Sequence, residues 1–202
     1  MQTCNDTYIE KLNVKLCKYL LGVHKSSTNN AVRGELGRYP LLINILNHAI
    51  RYFNRIDALA IDSLVKLSCV DSVVRSLNTS WISFMKKFLD IFSGSVSHFD
   101  NMKKIYRDSW SSLIESYEKD GKLRVYSQFK KKFHLENYVV QFPLHIRRNL
   151  TKLRISAHSL AIETGRYTRP QKTDINKRLC FYCKNVESEF HMVFECNLYN
   201  DE

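Results

Sequence analysis

CFYCKNVESEFHMVFEC, residues 180–196, decides how this chain ends, because it sets Cys180, Cys183, His191 and Cys196 in a C-x2-C-x7-H-x4-C array. Zinc takes four soft or borderline donors converging as a tetrahedron, and two cysteines separated by two residues wrap one edge of it in a tight turn. His191 is expected on a short helix entered through 187–189. Positions five apart do not share a helical face, so that helix should end near Cys196. Three thiolates and one imidazole leave no position for water, so the predicted zinc is structural. The tail from Leu179 onward has only 24 residues, too few to build an independent core without a staple. A Cys180–Cys183 disulfide would need an oxidising compartment, which nothing else in the sequence suggests.

Upstream of this array the chain is strongly basic. Residues 121–178 carry 14 Lys/Arg against three acids, whereas 179–202 carry one Lys against five acids. The net charge of +11 is therefore a block rather than a background, and a single-sign block of this density points to a polyanionic partner. Within it, 122–132 mixes cations with aromatics and suits a short helix nearly as well as a strand. Pro143 opens a helix to about His158. Ile146, Leu150, Leu153 and Ala157 fall on one side of that helix, the expected core face. Arg147, Arg148, Lys152, Arg154 and His158 occupy the other, the expected anion-facing half. The 159–178 stretch, with Gly165 and Pro170, reads as an ordered loop or short turns.

The first 120 residues read as helical throughout. Ile9, Leu12, Leu16 and Leu20 have helical spacing and stop at Gly22, where a helix C-cap favours glycine. Residues 26–29 (SSTN) supply cap chemistry for a short second helix, and Pro40 suits the first turn of a helix to about Ile56. Two helices are expected over 59–77. Over 80–92, Trp81, Ile82, Phe84, Met85, Phe88, Leu89 and Phe92 share an arc of about 160°, which predicts a core stripe. Asp100 is placed as the cap of a helix to about Glu118, burying Met102, Ile105, Tyr106, Trp110, Leu113, Ile114 and Tyr117. Cys4 stands isolated, and Cys17 and Cys69 sit in apolar helical patterns as packing residues. The division predicted is a helical unit over 1–120, a basic helical segment over 121–178 and a metal-bound tail over 179–202.

The motifs of self-sufficient enzymes are missing. There is no Asp-Asp pair for a polymerase metal box, no P-loop, no Gly-x-Ser-x-Gly and no His-Glu-x-x-His. The histidines at 24, 48, 98, 134, 145 and 158 are assigned no catalytic role. No secretory signal and no apolar run of membrane-spanning length occurs, so an intracellular, soluble protein with no membrane partner is expected.

Four stretches resemble a known family: LLGVHKSSTNN (20–30), GELGRYPL (34–41), LRISAHSLAIETGRY (153–167) and the Cys/His tail. Together they are similar to the C-terminal region of non-LTR (LINE-type) retrotransposon reverse transcriptases, over nearly the whole chain. The resemblance implies an all-α, thumb- and linker-like multi-helix bundle followed by a small Cys-Cys-His-Cys zinc knuckle that helps hold template RNA or target DNA. By carry-over, Cys180, Cys183, His191 and Cys196 are the zinc ligands. The family's polymerase palm lies upstream of this region, and its metal-binding aspartates have no counterpart here. The expected product is a non-catalytic fragment, with Met1 read as the start of a truncated or decayed copy. Phosphate contacts are expected from Lys130, Lys131, Lys132, Arg147, Arg148, Lys152, Arg154, Arg166 and Arg169. Tyr126, Phe129 and Tyr167 either stack on unpaired bases or belong to the core. The alternatives are a zinc-stabilised helical module that docks a protein, and a decayed transposon product without selected activity.

Overall fold

The structure, a computed structural model, describes residues 7–75, 80–91, 98–117 and 121–200. It is mostly helical: 62% helix in eleven α-helices and no strand among the described residues. Two isolated antiparallel bridges pair Leu36 with Leu135 and Leu179 with Val186. The chain forms two compact units, one from Met1–Lys11 and Tyr39–Asp108, the other from Leu12–Arg38 and Ser109–Glu202. These limits differ from the expected divisions at 120 and 178, and the chain passes between units within α1 (Tyr8–Leu21) and α6 (His98–Glu115).

The first unit holds α3 (Leu41–Asp57), α4 (Leu64–Val74) and α5 (Trp81–Ile91). Pro40 occupies the N-cap of α3, and the buried Glu10 carboxylate accepts the Leu41 N–H at 2.8 Å, satisfying a helix-end donor. Ile50, Met85 and Met102 form a small core with Leu46, Ala49 and Phe53 packed on it. Of the stripe predicted on α5, Ile82 and Met85 are buried while Trp81 and Phe84 stay substantially exposed, Trp81 resting on Tyr52 and Phe53. Phe92, Cys4 and Glu118 lie outside the described residues. One helix, α4, stands where two were expected, capped by the Ser63 hydroxyl on the Lys66 N–H at 3.2 Å. It buries no residue. Helix α6 begins at His98, two residues before Asp100. Met102, Trp110 and Ile114 are buried as expected, but Ile105 and Leu113 are exposed.

Helix α1 is apolar on two faces, and the one that marked its spacing in sequence is exposed. Val14, Cys17 and Leu21 are buried with Glu10, whereas Ile9, Leu12, Leu16 and Leu20 remain exposed. The helix ends in a left-handed Gly22 (φ 66°), with Gly22 N–H on Tyr19 O and Val23 N–H on Lys18 O. The Arg148 side chain lies so close to Gly22 that a Cβ there would fall 2.4 Å from Arg148 Cγ.

The second unit is organised on α2 (Asn29–Glu35), which stands after Thr28 as its N-cap. Gly34 lets two aromatics close on this helix, since a Cβ would sit 2.5 Å from Tyr126 Oη and 2.6 Å from Trp110 Cζ2. Trp110 donates to Asn30 O at 2.9 Å and Tyr126 to Ala31 O at 3.1 Å. Gly37, at φ 57°, ends the turn and abuts the Leu135 backbone. The remaining helices are short: α7 (Tyr126–Phe129), a single turn within the ambiguous basic-aromatic stretch, whose other residues are turns and irregular, then α8 (Asn137–Gln141), α9 (Leu144–Arg154), α10 (Ala161–Thr164) and α11 (Asn197–Asn200).

Helix α9 corrects a second expectation. It stops at Arg154, and Ser156 follows in left-handed conformation (φ 52°), so His158 is not on it. Its most buried member is Thr151, followed by Ile155 and Ser156 just past its end, whereas Ile146 is exposed. A buried acid reverses the helix: Glu35, fully buried, takes both Nε and Nη2 of Arg154 at 3.1 Å. The Tyr138 hydroxyl donates to the same carboxylate and lies 2.8 Å from Thr151 Oγ1. Burial, and then the negative charge of Glu35, push the Tyr138 hydroxyl far above the ordinary phenol range.

Candidate metal centre and its basic surroundings

The Cys/His segment is built from a hairpin and a wide helical turn. Cys180 N–H donates to Asn185 O at 2.7 Å and Glu187 N–H to Arg178 O at 2.8 Å, flanking the Leu179–Val186 bridge. Between them Lys184 turns left-handed (φ 63°), its N–H on Cys180 O at 3.1 Å. This turn brings Cys183 back beside Cys180. Ser188 then starts the second half, its hydroxyl accepting the His191 N–H at 3.0 Å. Residues His191–Glu195 form a π turn closed by Cys196 N–H on His191 O at 2.9 Å. An i→i+5 turn reconciles the H-x4-C spacing with one site, because a single wide turn brings His191 and Cys196 to the same side. Cys196 ends the turn in extended conformation, as the spacing predicted.

The four donor atoms lie within 4.8 Å of one another, close enough to hold a metal ion such as zinc. A tetrahedral zinc with bonds of about 2.3 Å to sulfur and about 2.0 Å to nitrogen spaces neighbouring sulfurs about 3.8 Å apart and a sulfur and nitrogen about 3.5 Å apart. Cys180 Sγ and Cys196 Sγ are 3.9 Å apart, and Cys183 Sγ and His191 Nε2 are 3.1 Å apart. The first separation matches a tetrahedral zinc and the second is about 0.4 Å shorter than such an ion sets, and the four donors are close enough to hold one metal ion. Cys180, Cys196 and His191 are buried, and Cys183 forms the exposed rim. The electrostatics of the donors pull in different directions. The Cys183 backbone N–H, then His191, then the Tyr182 N–H hold the Cys180 thiol down at about 6, while Cys180 raises the His191 imidazole. Desolvation pushes the Cys196 thiol the other way, up. With Nε2 turned to sulfur, the His191 proton belongs on Nδ1, a buried atom that makes no hydrogen bond and has Glu195 Oε2 as its nearby charge at 3.4 Å.

A buried carboxylate latches this segment to the second unit. Glu189 accepts from Arg124, from His158 Nε2 at 3.0 Å and from Ser156 Oγ at 3.2 Å. Burial would raise its carboxyl, but His158, its own N–H and Arg124 together hold it below the ordinary carboxylate value. Glu187 accepts the Ala161 N–H, and its carbonyl takes Ile162 N–H at 3.1 Å. Arg178 reaches Ile162 O at 2.7 Å and Thr173 O at 2.8 Å, and lies against Gly165, where a Cβ would be 2.7 Å from its side chain. The segment 156–166 is thus the seat of the Cys/His module. Glu35, Arg124, Arg178 and Glu189 carry this architecture with no role assigned to them from sequence, and His158, expected on the anion-facing half of the helix from Pro143, instead holds Glu189. The sequence reads Glu187 and Glu189 only as the entry to the His191 helix; an acidic segment following a basic block is the one signal that could have marked them as its partners.

The nine cations expected to meet phosphates do not form one surface. Lys130 is buried, bound to Glu136 and to His134 O, the latter at 2.7 Å. Arg154 is spent on Glu35, with Glu136 at 3.5 Å. Arg166 reaches Glu163 at 2.9 Å and Gly121 O at 3.1 Å. Arg147 is half-buried, donating to Val139 O at 3.2 Å, and Arg148 and Lys152 are half-buried as well. Lys131, Lys132 and Arg169 face solvent. Of the three aromatics, Tyr126 is core, while Phe129 and Tyr167 are exposed. No helix among the described residues is long and apolar enough to cross a membrane. Comparisons of the chain with protein-family models, with curated proteins and with solved structures returned no match.

Proposed function

We propose that this chain is a non-catalytic nucleic-acid-binding module whose C-terminal end is held by one structural zinc ion. The observation that carries the reading is the closed donor set of Cys180, Cys183, His191 and Cys196, latched through Glu189 onto the segment that follows basic helix α9. Four protein donors leave zinc no open position, so the ion supplies folding energy rather than a reactive water, about 10–16 kcal/mol in small fingers. Binding falls to the cations that remain outward: Lys131, Lys132 and Arg169, supported by Lys152, Arg147 and Arg148. Contacts of this kind hold a phosphate backbone of RNA or DNA without reading its sequence. The stretches that resemble non-LTR reverse transcriptases have structural roles here: GELGRYPL contributes Glu35, which holds Arg154, and LRISAHSLAIETGRY contributes Ser156 and His158, which hold Glu189 of the module. In that reading the residues given correspond to the thumb-linker-knuckle part.

A second reading, a protein-docking helical module, is favoured by α4, whose Leu64 and Val74 are 84% and 74% exposed. One pair of measurements separates the readings. Native mass spectrometry with and without chelator is expected to give one zinc per chain. Fluorescence anisotropy of the zinc-loaded chain with a labelled RNA is expected to show binding that weakens steeply with salt. A folded chain with no metal removes the first half of the proposal, and salt-independent or absent RNA binding removes the second.

A further inference from the structure

Two rings of the second unit stand out from solvent with a lysine ammonium beside each. Phe181, in the Cys-x2-Cys turn, is 79% exposed, and Lys184 Nζ lies 4.9 Å from its ring centre. Tyr167 is 62% exposed, with Lys122 Nζ at 5.9 Å from its ring and 3.9 Å from Glu163 Oε1, a looser pair than the bidentate Arg154–Glu35 contact. Neither ring is a loose end. The Tyr167 hydroxyl donates to Glu163 at 3.2 Å, and Phe181 meets Tyr182 edge-on at 5.5 Å. Both belong to one tied substructure, since the 160–166 segment is hydrogen-bonded to Arg178 and Glu187 on either side of the hairpin. A third ring, Phe129, has Arg154 at 5.9 Å, but that charge is committed to Glu35.

Resting on the nucleic-acid reading above, we propose that Tyr167 and Phe181 are stacking platforms for unpaired bases, which makes single-stranded nucleic acid the substrate class. A base in a duplex is already stacked on both faces, whereas an unpaired base offers a π face to a ring, and a cation beside that ring meets its phosphate. The charge of the surroundings agrees. Although residues 179–202 are net acidic, Glu187 and Glu189 are turned inward onto Ala161 and Arg124. Lys131, Lys132, Arg169 and Lys172 of the same unit are exposed, and Lys177, also exposed, lies 3.8 Å from Asp174.

The test uses the full zinc-loaded chain and three labelled probes: a 12-nucleotide oligouridine, an abasic strand of equal length, and a 12-base-pair duplex. Tyr167→Leu and Phe181→Leu are each expected to weaken oligouridine binding roughly 5- to 150-fold. Affinity for the abasic strand and the salt slope should stay unchanged, and Phe181→Tyr should restore binding. One metal per chain by native mass spectrometry qualifies each variant, and if Phe181→Leu sheds its metal, Tyr167→Leu alone decides. Unchanged oligouridine affinity in the variants overturns the proposal, as does equal loss on the abasic strand or a wild-type preference for duplex. Variants that lose self-association or a protein partner while keeping oligouridine affinity overturn it in favour of protein docking. A wild-type chain that binds none of the probes refutes the nucleic-acid reading itself; one that binds the abasic strand as well as oligouridine refutes only base stacking.

Discussion

Replacing Glu189 with Gln tests whether the metal module is locked to its unit by charge. The side chain is 3% exposed and faces Arg124 and His158, whose side chains are 15% and 10% exposed. Gln keeps the shape and one acceptor but removes the charge, leaving the Arg124 guanidinium buried beside a neutral amide. Deleting one partner of a buried pair costs about 3–5 kcal/mol. The retained acceptor and the residual solvent access of Arg124 place this case at the low end, about 3 kcal/mol. At roughly 3–4 °C per kcal/mol for a unit of this size, its melting transition should fall by about 10 °C. Scanning calorimetry of zinc-loaded protein measures the shift, and hydrogen exchange assigns it to residues 156–196 rather than to α3–α5. A double-mutant cycle with Arg124→Met isolates the pair, because Met retains the aliphatic stem. A shift under 2 °C, or a coupling energy under about 0.5 kcal/mol, would refute the latch.

Four further outcomes follow from particular contacts. Cys183→Ser should lose the metal in native mass spectrometry and remove exchange protection from 179–196, while α3 and α5 keep theirs. Gly34→Ala forces a Cβ between Tyr126 Oη and Trp110 Cζ2 and should cost about 1–3 kcal/mol in urea denaturation. Arg154→Gln, which strands Glu35, should destabilise the fold, whereas combined Lys131→Gln and Lys132→Gln should leave stability unchanged. The latter should flatten the log–log salt slope of single-strand binding by about 1.4, read by anisotropy.

Which parts of this were legible in sequence follows from the range over which each signal acts. Spacing within one turn or one helix carried far: the Cys/His array, Gly22, Pro40 and the helices over 41–57, 81–91 and 144–154 all appear close to where local pattern puts them. Signals that depend on what lies opposite did not carry. On α1 two apolar faces compete, and periodicity alone cannot tell that Val14, Cys17 and Leu21 are buried while Ile9, Leu12 and Leu16 stay exposed. On α9 the aliphatic face looked like the core, but a single carboxylate 119 residues earlier in the chain draws Arg154 inward.

The same carboxylates change what the basic block means. A formal charge of +11 over 121–178 suggests a broad positive face. Yet Glu35, Glu136, Glu163 and Glu189 draw Arg154, Lys130, Arg166 and Arg124 into ion pairs inside the unit, and Arg178 is consumed by carbonyl oxygens. Buried cations of this kind need partners and are poor phosphate contacts, because removing them from their acids leaves an uncompensated charge. Much of the arginine in the block therefore serves specificity of folding, seating the Cys/His module on 156–166. The outward charge is largely lysine and sits on short turns: Lys131 and Lys132 after α7, Lys172, Lys177 and Lys184 around the hairpin. Lysine is a mobile point charge without the planar fork that reads a base edge, so under the proposed nucleic-acid binding these lysines would contact phosphate without reading sequence.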